Sequence, residues 1–289
     1  MSLELGCNTL HPEVPRPEPS GFSLDRIRDA LDNIAGLDYE AVEFSHVFHL
    51  SDDEAVAAGE YCRALGLIRW SAHSAGSGAV ATEDQRAATL RDRGRCLEVT
   101  ALLGARVMIY HVADYAAATY ASGLPGELLA IESQVLGALA ARAGELGVRI
   151  GIENGSALGT MAYLLALVDT VDSPALGICV DTGHAALGEL GPARAVRMSG
   201  DRLYSLHLQD NWGGSDHHLP PGCGRIDWWE VAEALAEVEY DGVLELELTD
   251  APGSRPYHQE LEMRAGAAFG GGLQRRVRAL RGLTATPDA

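Results

Sequence analysis

Residues 175–184 read Ala-Leu-Gly-Ile-Cys-Val-Asp-Thr-Gly-His, and this stretch decides the expected fold. A short apolar run ends on the carboxylate of Asp181, and an imidazole, His184, follows three residues later. Short apolar runs bounded by turn residues are typical of buried strands. The stretch therefore predicts a strand over 175–181 that ends in polar, chemically active side chains.

The same pattern recurs along the chain, and a longer helical stretch follows each apolar run. Strands are predicted at Leu3–Cys7, Ala41–Phe44, Ile68–His73, Arg106–His111, Val148–Glu153, Ala175–Asp181, Leu203–Leu208 and Val243–Leu248. Helices are predicted at 24–35, 52–65, 83–103, 126–146, 158–170, 191–199, 227–239 and 259–281. Alternating strands and helices imply parallel pairing through right-handed crossovers. Eight such units in 289 residues favour one (β/α)8 TIM barrel, a single α/β domain over residues 1–289.

Loops and termini complete this outline. The Pro-rich stretch His11–Ser20 is expected to be a loop after the first strand, and Thr284–Ala289 a frayed tail. No apolar run approaches the roughly 20 residues of a membrane helix. The first ten residues lack the basic and apolar regions of a signal peptide, so a cytoplasmic location is expected.

Composition excludes some chemistry. The net charge of −19 disfavours sequence-independent binding to nucleic acid, which requires cations against phosphates. The chain contains no Lys, so Schiff-base aldolase chemistry and lysine-anchored pyridoxal phosphate are excluded. Five unclustered cysteines argue against a disulfide framework.

Six of the eight predicted strands end on, or just before, a side chain that can bind a metal. These candidates are His73, His111, Glu153, Asp181, His184, His207, Asp216, His218 and Glu247. Closure of a barrel would bring five imidazoles and four carboxylates around one mouth, where the carboxylates repel each other unless cations neutralise them. Imidazole with carboxylate suits zinc, manganese, iron or cobalt. We expect a divalent-metal site, with zinc or manganese favoured and more than one ion.

Several motifs resemble those of the xylose-isomerase-like TIM barrel superfamily, which contains sugar isomerases and epimerases and the endonuclease IV type of abasic-site nuclease. The resemblance covers about residues 3–280. Its motifs are Ile152-Glu153-Asn154, Asp181-Thr182-Gly183-His184, His207 with Asp210, the stretch from His218 to Asp227, and Tyr240-Asp241-Gly242.

The resemblance implies roles for the candidate ligands. Glu153, Asp181, His207 and Glu247 match the single-metal site of the epimerase branch, where the two glutamates also act as the acid/base pair. The other five match further ligands that complete a three-metal cluster in the endonuclease branch: His73, His111, His184, Asp216 and His218. All nine positions are filled, which is more than a single-metal epimerase needs.

Two departures from the family pattern matter. Cys223 replaces a glutamate that relatives usually carry in this loop, either as an accessory ligand or as a spectator thiol. Sugar isomerases of the xylose-isomerase type proper use a catalytic lysine, so the absence of lysine disfavours that branch.

The sequence favours a metal-dependent isomerase or epimerase of a small sugar, with proton transfer alpha to a carbonyl by Glu153 and Glu247. His184 would stabilise the substrate oxygen if it binds no metal. Aromatic side chains either stack on the sugar or pack in the core: Trp70, Trp212, Tyr110 and Phe44.

The alternatives are a multi-zinc phosphodiesterase of the endonuclease IV type, a metal-dependent lyase or hydrolase on small sugars, and a non-catalytic metal-binding barrel. The charge disfavours a nucleic-acid partner and no membrane partner is expected. Which sugar, its phosphorylation and the formation of a homo-oligomer stay open.

Overall fold

Strands and helices alternate as the sequence predicts in the computed structural model, which describes residues 3–10, 22–112, 126–156, 160–188, 190–248 and 256–283. The strands are β1 (Leu5–Asn8), β2 (Ala41–Phe44), β3 (Ile68–Gly78), β4 (Val107–Val112), β5 (Arg149–Glu153), β6 (Leu176–Asp181), β7 (Leu203–His207) and β8 (Leu244–Leu246). The helices are α1 (Leu24–Ala35), α2 (Asp52–Ala64), α3 (Glu83–Leu103), α4 (Gly126–Leu146), α5 (Thr160–Val171), α6 (Thr182–Leu187), α7 (Pro192–Ser199), α8 (Trp228–Glu237) and α9 (Pro256–Leu280), with a 3-10 turn at Gly200–Arg202.

The eight strands form one parallel sheet in the order β7-β6-β5-β4-β3-β2-β1-β8. The sheet closes where Leu208, just after β7, pairs in parallel with Leu246 of β8. The Leu208 amide donates to the Glu245 carbonyl at 2.8 Å, and the Glu247 amide donates to the Leu208 carbonyl at 3.2 Å. The predicted (β/α)8 barrel is confirmed.

Local sequence signals set the helix ends. Ser51 and Glu54 exchange side-chain and backbone hydrogen bonds at the start of α2, and Thr82 and Gln85 do so at the start of α3. Such capping boxes satisfy amides that lack partners within the helix. Helix α3 ends at Gly104, whose φ of 73° lies in the left-handed region that glycine adopts without strain.

Most elements differ from the sequence prediction by one to three residues at an end, and two differ more. Strand β3 continues to Gly78, beyond the predicted end at His73, with a register shift against β4 between His73 and Ser77. Helix α6 was not predicted, and it forms because the Asp181 side chain caps it by accepting from the His184 amide at 2.6 Å. The predicted loop at His11–Ser20 and the tail Thr284–Ala289 lie outside the described residues.

The apolar core has two parts. The larger part lies between the helices and the outer face of the barrel. The smaller part packs separately, on inward positions of the strands: Ala41, Trp70, Val107, Ile109, Cys179 and Val243. Trp70 also spans the barrel, because its indole N–H donates to the Ser205 hydroxyl at 3.0 Å. These side chains fill the interior of the barrel below the carboxyl ends of the strands. None of the helices in the described stretches is long and apolar enough to cross a bilayer.

Gly59 lets α2 pack directly on the end of α3, since a Cβ there would overlap the Leu103 carbonyl. We expect Gly59→Ala to lower the free energy of unfolding by about 1–3 kcal/mol, because overpacked contacts force the backbone apart. Gly94 lies in α3, and among the described residues nothing outside its own helix backbone lies within 4 Å of the position that an added methyl group would occupy, so Gly94→Ala is the control. It should stabilise by roughly 0.5–1 kcal/mol. Urea denaturation of both variants tests the contrast, and equal effects would contradict it.

Candidate metal centre

The alternation of side chains along each strand places the polar groups. Successive residues of a strand point to opposite faces, so residues two apart share a face. Cys179 and Asp181 share the inner face of β6. In the same way, Val243, Glu245 and Glu247, which lie on β8 or directly beside it, point inward. Apolar residues thus fill the lower barrel and carboxylates fill its upper end.

The central pocket is formed by Glu153, Asp181, His207 and Glu247. One ligand atom of each lies within 4.8 Å of the others. His207 Nδ1 lies 3.2 Å from Glu153 Oε2 and 3.4 Å from Glu247 Oε2. Asp181 and His207 are fully buried, and the two glutamates are nearly so. Three carboxylates and an imidazole therefore face one point away from water.

Four atoms of this pocket are buried and make no hydrogen bond to the described part of the chain: both oxygens of Glu153, Nδ1 of His207 and Oε2 of Glu247. Buried polar atoms are nearly always satisfied, because leaving one without a partner costs about 1–3 kcal/mol. Imidazole nitrogen and carboxylate oxygen are good ligands for zinc and similar ions. The donor set fits a divalent cation.

A second pocket adjoins the first and shares Glu153. His73 Nε2 lies 3.1 Å from His111 Nε2, and His111 Nε2 lies 3.0 Å from Glu153 Oε2. Two imidazole nitrogens and a carboxylate oxygen at such distances form a second set that can hold a cation. The sequence prediction that His73 and His111 meet the other candidates at one mouth agrees with this geometry.

The third pocket is formed by His184, Asp216 and His218. Asp216 Oδ2 lies 3.1 Å from His184 Nε2 and 2.8 Å from His218 Nε2. It adjoins the central pocket, because His184 Nδ1 lies 3.3 Å from Glu153 Oε1. All nine predicted ligands are thus brought together, in three adjoining groups rather than one.

Hydrogen bonds orient several of these imidazoles. Nδ1 of His73 lies 2.9 Å from the Ser74 carbonyl, Nδ1 of His184 lies 3.0 Å from the Asn154 carbonyl, and Nδ1 of His218 lies 3.3 Å from the Glu247 carbonyl. A carbonyl only accepts, so in the neutral ring Nδ1 carries the proton and Nε2 has the lone pair. Nε2 of His73 faces the second pocket, and Nε2 of His184 and of His218 faces the third.

The carboxylates control the charge of these groups. Burial lowers the pKa of His73, but Glu153 and neighbouring carboxylates outweigh it and raise the pKa to about 9. Burial also opposes protonation of His218, yet Glu247 and Asp216 raise its pKa to about 9. Burial raises the pKa of Asp181 to about 7. A pocket that attracts protons this strongly also attracts divalent cations.

Asp210 anchors the loop that carries the third pocket. Its Oδ1 accepts from the backbone amides of Asn211, Arg225 and Ile226 at 2.9–3.2 Å. Its Oδ2 accepts from the Gly222 amide at 3.1 Å and the Trp228 indole at 2.9 Å. This buried carboxylate ties the loop over 211–227 to the end of β7 and so positions Asp216 and His218.

Some residues of the site were not predicted. Glu43 of β2 is fully buried and lies 3.0 Å from His207, and Gln209 donates to Asp216 at 2.6 Å. Glu245 is fully buried one inward position below Glu247. Burial, with Glu43 nearby, raises the pKa of Glu245 well above its usual range. A glutamate inside a four-residue apolar strand is a signal that could have identified Glu43, because an unpaired buried charge is costly.

The aromatic candidates for sugar stacking are placed differently. Trp70, Tyr110 and Phe44 are buried in the two parts of the core, so the packing interpretation holds for them. Trp212 is 63% exposed, and its indole donates to the Cys223 carbonyl at 3.2 Å. Cys223 is exposed and belongs to none of the groups of described residues that could hold a metal.

Comparison with known proteins agrees with the fold and the motifs. A sequence model of the xylose isomerase-like TIM barrel matches residues 4–269. The chain belongs to this family. Membership covers most of the chain and includes all nine candidate ligands.

Members of the xylose isomerase-like family similar to this chain include sugar epimerases. D-psicose 3-epimerase of Enterocloster bolteae is 34% identical over 38% of this chain and 36% of that enzyme. D-psicose 3-epimerase of Agrobacterium fabrum is 24% identical over 75% of this chain and 77% of that enzyme. Matches to three relatives span 34%, 45% and 36% of the relatives' own lengths. A solved structure of L-ribulose 3-epimerase has a TM-score of 0.77 at 17% identity over 97% of both chains, which shows a shared fold.

We expect Asp210→Asn to lower the free energy of unfolding by about 2–4 kcal/mol, because the amide turns a hydrogen-bond donor toward N–H groups that need an acceptor. Amide hydrogen exchange of Gly222 and Arg225 should accelerate with it. The control is Asp227→Asn, which alters only the cap of α8, where Asp227 accepts from two amides. Its loss should be at most about 1 kcal/mol. Unchanged exchange in Asp210→Asn would show that the carboxylate does not anchor the loop.

Proposed function

We propose that this protein is a divalent-metal-dependent epimerase that inverts the carbon next to the carbonyl of a small ketose or ketose derivative. One observation carries the proposal: Glu153 and Glu247 both approach His207 Nδ1, at 3.2 and 3.4 Å, in a pocket that also contains Asp181. Inversion needs one group to remove a proton and another to return it, and two carboxylates can do both. The names of the epimerase relatives support the same reaction.

The residues of the central pocket would have two roles, metal binding and proton transfer. A divalent ion held by Glu153, Asp181, His207 and Glu247 would act as a Lewis acid on the carbonyl and its neighbouring hydroxyl. One glutamate, as a carboxylate, would remove the proton alpha to the carbonyl, and the other, in its protonated form, would donate its proton to the opposite face of the same carbon; proton exchange with solvent would then restore both groups. The carbon is inverted when the second proton arrives from the other side.

A cavity beside Glu247 supports a small substrate. Its volume is about 140 Å³, and its lining includes Leu10, Ser45, His46, His73 and Ser74. The Ser74 hydroxyl is buried and makes no hydrogen bond within the described ranges. Small hydroxyl and imidazole groups beside one apolar wall suit a polyol chain of a few carbons.

More than one ion is part of the proposal, with zinc or manganese as the fitting metals. The second and third pockets supply imidazole and carboxylate donors of their own. His184 faces the third pocket through Nε2, so its role in stabilising a substrate oxygen applies to a form with one ion in the central pocket.

The three adjoining pockets also favour a second candidate, a metal-assisted phosphodiesterase. Several ions close together can activate water and stabilise a leaving oxygen. The net charge of −19 opposes a nucleic-acid substrate, because few phosphates could be neutralised. The epimerase is therefore the stronger candidate.

Glu153→Gln and Glu247→Gln should each slow exchange of the substrate's alpha proton with solvent by roughly 10²–10⁴-fold, because the amide keeps the shape and removes the base. Deuterium incorporation into a panel of ketoses measures this at saturating metal, with bound metal determined in every variant. Glu145→Gln, exposed near the carboxyl end of α4, should leave exchange unchanged.

The same preparation should be offered an abasic-site duplex. Strand scission at turnover rates without deuterium uptake in any ketose would replace the epimerase with the phosphodiesterase.

Metal analysis tests the number of ions. The wild-type protein should bind more than one zinc or manganese ion, and His218→Ala should lose one while keeping the others, because Asp216 and His184 alone make a weak site. The matched control is His217→Ala, since His217 contacts the Ser215 hydroxyl and the Trp212 ring outside the pockets. A stoichiometry of one in the wild type would leave only the central pocket as a metal site.

A further inference from the structure

His207 differs from three other histidines of the site in what fixes its ring. Nδ1 of His73, His184 and His218 lies within hydrogen-bonding distance of a backbone carbonyl in each case. His207 faces a carboxylate instead, because its Nε2 lies 3.0 Å from Glu43 Oε2. The Glu43 carboxylate therefore lies on the side of the His207 ring that faces away from the central pocket.

Glu43 is itself held in place. It lies on β2, is fully buried, and its Oε2 also accepts from the Ser71 hydroxyl of β3 at 2.7 Å. A carboxylate oxygen that faces an imidazole nitrogen draws the proton to that nitrogen. With a cation in the central pocket, Nδ1 of His207 would have to offer its lone pair to the ion, so the ring proton would stay on Nε2, where Glu43 accepts it.

We propose that Glu43 is a positioning residue that fixes His207 with Nδ1 toward the central pocket and strengthens it as a metal donor. This inference rests on the metal site of the proposed function. A carboxylate behind a histidine ligand orients the ring and raises the basicity of the nitrogen that binds the ion. A backbone carbonyl orients the ring but contributes no negative charge, so His207 should be a stronger donor than His73, whose Nδ1 faces the Ser74 carbonyl.

Glu245 provides a matched comparison. It is also fully buried inside the barrel, and it lies on β8, adjacent to β1 in the sheet, as β2 is. The described contacts include no hydrogen bond or ion pair between Glu245 and His207, whereas Glu43 makes one. A general effect of altering a buried acidic side chain would appear in both positions, and an effect through His207 would appear only at Glu43.

The experiment compares Glu43→Gln with Glu245→Gln in the 289-residue chain, using Zn²⁺ as the probe. Competition with a chromophoric chelator gives the dissociation constant of the central ion. We expect Glu43→Gln to weaken it by roughly 10–100-fold, as loss of such partners typically does. Glu245→Gln should leave it within about twofold, a difference well below the tenfold expected at Glu43.

Proton NMR of the zinc form gives a second measurement that does not depend on catalysis. The ring N–H of His207, bonded to a carboxylate, should resonate far downfield, shift upfield in Glu43→Gln and stay in place in Glu245→Gln. Ser71→Ala keeps the carboxylate but removes its anchor, so it should give an intermediate loss of affinity. If Glu43→Gln does not fold, Ser71→Ala still tests the inference.

Wild-type affinity in Glu43→Gln, or an equal loss in both glutamine variants, would overturn the inference. Neither result depends on which substrate is turned over. A wild-type protein that binds zinc through His207 but inverts no ketose would refute the proposed function and leave this inference standing.

Discussion

Mutual repulsion among buried carboxylates is the constraint on which the rest of this structure depends. Glu153, Asp181 and Glu247 reach one pocket from three different strands, where water cannot screen them. Such a pocket is stable only with positive charge inside it, either protons on the imidazoles or bound cations. The closed barrel enforces this proximity, because each strand must end at the same rim. The fold thus creates a pocket whose charge favours protons or divalent cations.

Much of the barrel could be predicted from the sequence, for a physical reason. Buried parallel strands need short apolar runs, and these runs end where the chain reaches polar surroundings. Asp181 ends β6 and His111 is the next-to-last residue of β4, and both belong to the candidate site. Strand and helix locations followed from the same alternation, and helices at 83–103 and 126–146 were predicted with their observed bounds.

What could not be predicted depends on contacts distant in sequence. The division of nine ligands into three pockets depends on which rings meet across the barrel, as His73 and His111 do. Glu43 lies 164 residues from His207, and no local pattern links the two. Trp70 looked equally suitable for a sugar site or for packing, and only its inward position at the base of the barrel assigns it to the core.

Glu153 approaches one histidine of each pocket: His111, His184 and His207. If the Glu153 carboxylate moved to bind an ion in one pocket, the position of its oxygens relative to the neighbouring pockets would change. If the three pockets hold ions, their occupancies are thermodynamically linked, and each ion would alter the affinity for the others by the same factor in both directions. Titration of the protein with metal would then deviate from a sum of independent sites, because ions in adjoining pockets would share the two oxygens of Glu153.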